Sequence, residues 1–215
     1  MTQKLAYASL VMITALAAIS FTPLAQKENL ATIASNGVTP QAATKWSIDK
    51  SHSNVKFAVT HMVVTETEGN FKLFDGSMEH TKPDFSDAKV EFSVDVASID
   101  TDNEKRDKHL KSDDFFNAEK YPAMKFVSTS FTPSGGNKYK LAGNLTIRDV
   151  TKPITFDVTY GGSVNERGGV KSGFKAKSTI NRFDYNLKWD KATEAGGLVV
   201  SKEVDITVNV ELKKS

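Results

Sequence analysis

The chain has 215 residues, a net charge of +2 and no cysteine. The absence of thiols excludes disulfides, thiol catalysis, thiolate metal sites and lipid attachment through a cysteine. Basic residues are interspersed with acidic ones along the sequence, so it predicts no nucleic-acid-binding surface.

The amino-terminal segment differs from the rest of the chain. Lys4 is the only charged residue before an apolar run over residues 5–21, and Ala25 supplies a small residue after that run. A basic start, an apolar middle and a small-residue cleavage site are the order of a secretory signal peptide. We therefore predict a signal peptide over residues 1–25 and export to the periplasm. An uncleaved membrane anchor is the alternative, because the run is just long enough to span a bilayer.

Residues 26–45 are small and polar and have no sustained periodicity, which indicates a flexible linker. Residues 46–215 then form one domain, long enough to bury a core of its own.

Most of this domain alternates between polar and apolar residues. Such alternation is typical of strands with one dry and one wet face, because successive side chains in a strand point to opposite sides. The pattern recurs with turn-forming residues between the segments, which predicts an all-β, antiparallel fold. The apolar sides of the predicted strands are Val55, Phe57 and Val59; Val90, Phe92, Val94 and Val96; Tyr139, Leu141, Leu145 and Ile147; Ile154, Phe156, Val158 and Tyr160; Phe174, Ala176 and Ile180; and Val204, Ile206, Val208, Val210 and Leu212.

One segment, residues 101–122, interrupts the strands. Thr101 followed by Glu104 is a capping-box pattern, and good helix formers follow it, so we predict one short helix here. The apolar residues of the insert need an apolar surface to rest on. The insert is therefore expected to close one end of a barrel or to cover the edge of a sandwich.

Alternation by itself does not separate a closed barrel from two packed sheets. The outward positions carry Lys, Asp, Glu and Thr, which favours a soluble barrel over one embedded in an outer membrane. A soluble barrel of about eight strands has an interior that either just fills or holds one small ligand.

The chain has four histidines, and His61 shares the parity of the apolar residues before it in its predicted strand. It is therefore a hydrogen-bonded core histidine, a polar contact to a ligand, or a metal ligand. His52 and His109 are the histidines that would have to join it in a metal site. No spacing typical of zinc supports that hypothesis, and we expect neither a metal nor a cofactor.

The sequence lacks a nucleophile motif and a phosphate loop. The predicted helix and the residues after it carry the charged residues Arg106, Asp107, His109, Asp113 and Asp114, which we interpret as a solvated face with local ion pairs. An apolar interior with few polar groups suits a long apolar ligand. The residues therefore favour a binding protein over an enzyme.

Six stretches together resemble the YceI-like family of exported, lipocalin-like polyisoprenoid-binding proteins. They cover nearly all of the chain after residue 45, and they are WSIDKSHSNVKFAVTHM (46–62), GNFKLFDGSME (69–79), RDKHLKSDDFFNAEKYPAMKFVSTS (106–130), LAGNLTIRDVTKPITFDV (141–158), INRFDYNLKW (180–189) and VSKEVDITVNVEL (200–212). The resemblance implies an antiparallel barrel of about eight strands that encloses the isoprenoid chain of a polyprenyl lipid or quinone.

On this hypothesis the protein holds an isoprenoid lipid for carriage, storage or sequestration, and transient membrane contact and homodimerisation are both compatible with it. We predict that His61 is the polar contact and that nine apolar residues form the wall: Phe57, Val59, Phe92, Val94, Phe126, Leu145, Phe156, Val158 and Phe174. One alternative is a hydrolase or isomerase that uses His61 or His109 with a carboxylate as acid and base. Another is a filled barrel that binds a protein partner on its surface and has no cavity.

Two positions depart from the family pattern. Asp149 and Asn186 stand where family members often carry Gly. Asn tolerates a left-handed backbone better than most residues, so the turn at Asn186 is expected to be preserved, whereas Asp149 is expected to alter a bulge or the cavity mouth.

Overall fold

The computed structural model describes residues 41–192 and 199–215. The predicted signal peptide, and the predicted linker up to residue 40, lie outside the described residues. The strands are β1 Thr44–Ile48, β2 Asn54–His61, β3 Thr65–Phe71, β4 Phe74–His80, β5 Lys89–Asp95, β6 Ile99–Asp100, β7 Ala123–Gly135, β8 Lys138–Ile147, β9 Val150–Glu166, β10 Gly169–Asn181 and β11 Val200–Lys214. β1 begins at Thr44, so the last two residues that we assigned to the linker are part of the first strand.

The strands form a closed antiparallel barrel with eight strand positions around the ring, which confirms the predicted fold class. Three of the eight positions in the ring are each shared by two short strands that lie end to end. β1 and β2 both pair with β11. β4 pairs with β1 and β3 with β2, and on their other side β5 pairs with β4 and β6 with β3. β7 to β10 are the remaining four, and β10 pairs with β11 to close the ring. The predicted alternation sets the facing of the strands, since Phe156 and Val158 of β9 are buried and Asp157 between them is exposed.

One end of the barrel, here called the aromatic end, is closed by the β4–β5 connection. The ring of Phe85 packs edge-on against the rings of His80 and Phe174, with centroids 4.6 Å and 5.5 Å away. Trp46 Nε1 donates to His80 Nε2 at 2.9 Å, and His80 Nδ1 lies 2.8 Å from the carbonyl oxygen of Lys82. These contacts fill the end of the barrel with packed rings.

The other end, here called the insert end, is covered by the predicted insert. Helix α1 spans Glu104–Lys111, and Leu110, Phe115 and Phe116 of the insert face the interior, so the insert closes the barrel as predicted. Among the described residues there is no helix both long and apolar enough to cross a bilayer.

The capping-box prediction was wrong in its residue. Asn103 is the N-cap, and its side chain accepts from the backbone N–H of Arg106 at 3.0 Å. The hydroxyl of Thr101 instead donates to Asp107 at 2.6 Å and accepts from Arg106 Nε at 2.7 Å. Thr101 is therefore unavailable as a cap, because its side chain joins the helix to β6.

β8 and β9 are joined by a two-residue turn at the insert end, with Ile147 opposite Val150. Arg148 and Asp149 both have positive φ, 50° and 59°. Two such residues make the type I′ geometry that matches the twist of a hairpin. Asn186 also adopts the left-handed conformation, φ 61°, as the cap of the 3₁₀ turn Arg182–Tyr185, which confirms the prediction for that position.

Candidate ligand-binding cavity

The barrel interior contains a cavity of about 220 Å³. Its walls come from nearly every strand and from the insert, and polar atoms contribute almost nothing to its surface. The cavity contradicts the filled-barrel alternative. A dry, apolar cavity of this kind takes up apolar groups, because they lose no hydrogen bonds on leaving water.

Nine of the ten predicted site residues line this cavity, namely Phe57, Val59, Phe92, Val94, Phe126, Leu145, Phe156, Val158 and Phe174. His61 is not among the lining residues. It is the last residue of β2, half-buried, and pairs across the sheet with Val200 and Thr65. His61 lies on the same side of β2 as the wall residues, but it is the last residue of the strand, so its imidazole lies beyond the cavity.

Three glycines make room for wall phenylalanines. A Cβ at Gly143 would lie 2.5 Å from the Phe126 ring, and one at Gly76 would lie 2.8 Å from the ring of Phe92. A Cβ at Gly69 would overlap the ring of Phe57. Each ring therefore lies flat against the sheet at a glycine, which keeps it out of the centre of the barrel.

Arg182 is a site residue that our sequence reasoning missed. Its side chain reaches the cavity wall at the insert end, and the residue is only 3% exposed. The guanidinium donates to the carbonyls of Leu187, Trp189, Val200 and Ser201 at 2.6–3.1 Å. No carboxylate of the described residues lies within ion-pair distance of it, and burial lowers the pKa of Arg182.

The positions of the four carbonyl groups in the chain show what the Arg182 side chain does. They belong to the segment after the 3₁₀ turn and to the start of β11, so one side chain joins two parts of the insert end. The motif INRFDYNLKW did carry Arg182, but nothing in its sequence marks a charged residue as buried.

Arg148 performs a similar task on the outer side of the insert. Its guanidinium donates to the carbonyls of Phe115 at 2.7 Å, Asn186 at 2.9 Å and Asp113 at 3.1 Å. It also pairs with the Asp113 carboxylate at 2.8 Å. The β8–β9 turn thereby holds the insert and the 3₁₀ turn together over the cavity.

The titratable clusters lie outside the cavity wall. His109 Nε2 is 2.8 Å from Asp114 Oδ2, and its ring packs edge-on against Phe115 and Trp189. Within the predicted charged face, His109 and Asp114 therefore form a hydrogen bond, whereas Asp113 pairs with Arg148, which lies outside that face. Neither His109 nor Asp114 is among the residues that line the cavity.

Asp49, His52 and Glu211 place three potential metal ligands within 4.8 Å of one another. Lysines already compensate these carboxylates, since Lys213 Nζ is 2.8 Å from Asp49 Oδ2 and Lys171 Nζ is 2.8 Å from Glu211 Oε1. Hydrogen bonding to Lys213 and Ser51 holds the pKa of Asp49 well below its usual range. The group is an ion-pair network, and His52 meets neither His61 nor His109 in it.

Comparison with known proteins matches residues 46–212 to the YceI-like domain. The chain belongs to the YceI-like family. A UPF0312 protein of Staphylococcus aureus is 36% identical over 174 residues, which are 80% of this chain and 99% of that protein.

Solved structures of YceI proteins share the fold. The Campylobacter jejuni YceI protein is 31% identical, with a TM-score of 0.62 over 78% of this chain and 96% of that one. A polyisoprenoid-binding domain from Saccharophagus degradans has a TM-score of 0.57 over 79% of this chain and 98% of its own, at 13% identity, and so shows the fold alone.

Proposed function

We propose that the protein is an exported, non-enzymatic carrier that holds the isoprenoid chain of a polyprenyl lipid or quinone inside its barrel. The observation that carries this proposal is the cavity inside the barrel, whose wall offers almost no polar atom. Such a wall favours a hydrocarbon chain over a sugar or an amino acid, either of which requires several convergent donors and acceptors.

Membership of the YceI-like family supports a binding function, and the Saccharophagus degradans domain of the same fold is described as polyisoprenoid-binding. The position of the His109–Asp114 pair outside the cavity also argues against turnover of a molecule bound inside. Export follows, on this proposal, from the signal-like residues 1–25, and the exported compartment of a bacterium is bounded by lipid membranes.

The size of the cavity bears on how a long chain is held. At about 220 Å³ it exceeds the ~150 Å³ cavity that suffices for benzene, but it is smaller than the ~300–1,000 Å³ of a typical ligand pocket. A long isoprenoid therefore requires wall side chains to move.

A chain-length series tests this proposal. Isoprenoid alcohols of increasing length, and quinones with the same tails, are titrated into the protein by calorimetry. Affinity should rise with each isoprene unit until the barrel is full and then level off, and binding should have a negative heat-capacity change because apolar surface is buried. The head group should matter little, since polar atoms contribute almost nothing to the surface of the wall. Affinity that follows the head group and ignores tail length would contradict the proposal.

A further inference from the structure

The hairpin tip between β2 and β3, residues Met62, Val63 and Val64, is an exposed apolar surface. These side chains are 49%, 77% and 80% exposed. Below the tip, His61 pairs with Thr65, so the three residues project past the last ladder pair of the two strands. Three consecutive exposed apolar residues at a loop tip are unusual on a water-facing surface.

Stability of the fold does not account for these residues. Met62 and Val63 have φ of 50° and 66°, and the left-handed region is costly for a β-branched residue such as Val63. A glycine or asparagine would relieve that cost without losing core contacts, since the Val63 side chain is in solvent. Backbone strain that is not compensated by packing in the core is typical of a functional segment.

The tip lies at the insert end of the barrel. The N–H of Met62 donates to the carbonyl of Val199 at 2.8 Å, and the next residue, Val200, lines the cavity. The N–H of Val199 in turn donates to the carbonyl of Lys191 at 2.9 Å, close to the half-buried Trp189. Tryptophan and lysine together are typical of the membrane–water interface.

The charge around the tip and the area that it offers for burial indicate which kind of partner binds it. Among the described residues around the tip, exposed Lys191 and Lys202 are offset by exposed Glu66, Asp190 and Glu203, so these residues build no net electrostatic attraction. Three side chains also fall far short of the ~800 Å² per partner that a stable protein interface buries. A lipid bilayer requires neither a complementary shape nor a minimum area, because each inserted apolar side chain leaves water independently.

We propose that the tip, residues 62–64, inserts into the surface of a lipid bilayer and turns the insert end of the barrel toward the membrane. This rests on the proposed function only in that the lipid reaching the cavity would come from that membrane. The contact is driven by apolar burial, so it holds for zwitterionic lipid and changes little with salt.

Vesicle flotation tests the proposal with phosphatidylcholine vesicles that contain no isoprenoid. The full chain is compared with Val63→Asp, Val64→Asp and a control, Val164→Asp. Val164 is 55% exposed and lies on β9 near the turn at the opposite end of the barrel. Each tip variant should bind vesicles about tenfold more weakly, and the control should bind as the unchanged protein does. Equal flotation of all four proteins would overturn the proposal.

A second measurement removes any contribution from the amino-terminal segment. The chain has no cysteine, so Val64→Cys and Val164→Cys each accept a single environment-sensitive fluorophore. On protein bound to vesicles, the label at position 64 should shift to the blue and be quenched by spin-labelled lipid, and the label at 164 should not. A label at 64 that stays in water overturns the proposal. Calorimetric titration of the same variants with an isoprenoid alcohol reports separately on the cavity, so failure of the proposed function is distinguishable.

Discussion

The ring of Phe126 occupies the space that a side chain at Gly143 would need, with only 2.5 Å between the ring and the Cβ position. Gly143→Ala should therefore push this ring into the cavity, weaken isoprenoid binding and lower the free energy of unfolding by about 1–3 kcal/mol through overpacking. Calorimetric titration and denaturant unfolding check both effects.

The control for Gly143→Ala is Gly173→Ala, because nothing lies within 4 Å of the Cβ position at Gly173. Adding Phe126→Leu to Gly143→Ala should restore part of the lost binding, because the smaller side chain removes the contact with the ring. It should not restore the lost stability, because the new methyl group also lies 2.5 Å from the backbone carbonyl oxygen of Val127. If Gly143→Ala binds isoprenoids as the unchanged protein does, the flat placement of the rings is not what keeps the cavity open.

The turn at Arg148 and Asp149 predicts a stabilising substitution. Asp149 has φ 59°, a conformation that costs an L-residue free energy and a glycine none. Asp149→Gly should raise the free energy of unfolding by up to about 1 kcal/mol. Asp157→Gly, in the middle of β9, should lower it instead, because glycine weakens a strand interior. If both substitutions change the free energy of unfolding in the same direction, the left-handed turn is not strained.

Arg148 is predicted to hold the insert over the cavity. Arg148→Lys loses the fork that reaches the carbonyls of Asp113, Phe115 and Asn186, and should lower the free energy of unfolding by about 2 kcal/mol. Hydrogen exchange should accelerate most in residues 112–117. Lys140→Ala, which removes an exposed ion pair with Asp157, should cost less than about 1 kcal/mol. Uniform acceleration of exchange around the barrel would contradict a local role for Arg148.

Asp87 makes the closure of the aromatic end sensitive to acid. Hydrogen bonds from the Thr81 hydroxyl, and from the backbone N–H groups of Lys82 and Thr81, lower the pKa of Asp87 to about 2. In the unfolded chain an aspartate has a pKa of about 3.9. Because the folded pKa is the lower one, the stability from this carboxylate is present above about pH 4 and is lost as the pH falls toward 2.

Asp87→Asn should therefore lower the free energy of unfolding at pH 6 and make progressively less difference between pH 4 and pH 2. Denaturant unfolding of both proteins across this range measures the difference. A difference that stays constant down to pH 2 would mean that the carboxylate charge contributes nothing to the loop.

The strands and the wall were predictable because both follow from alternation, which a single strand such as β9 already displays. His61 does not line the cavity, because parity says which way a side chain points and not where the strand ends. The cap of α1 was missed because the Thr101 hydroxyl binds Asp107 and Arg106, six and five residues further along the chain, and a capping-box pattern does not show such hydrogen bonds.

The remaining features depend on contacts between distant residues. The match of Gly143 to Phe126 requires the register of β7 and β8, and the burial of Arg182 requires the chain to return at β11. The apolar tip could not be predicted from the sequence for a different reason. Met62, Val63 and Val64 directly follow the alternating residues of β2 and include none of the residues that mark a turn.

The most direct test of the account is native mass spectrometry of the full chain purified from the cells that make it, followed by organic extraction of whatever it carries. We expect one isoprenoid lipid per protein molecule, and less of it on Gly143→Ala than on Gly173→Ala. A protein that carries no apolar molecule, and that takes up neither polyprenols nor isoprenoid quinones when they are supplied, would contradict the proposal that the barrel is a lipid carrier.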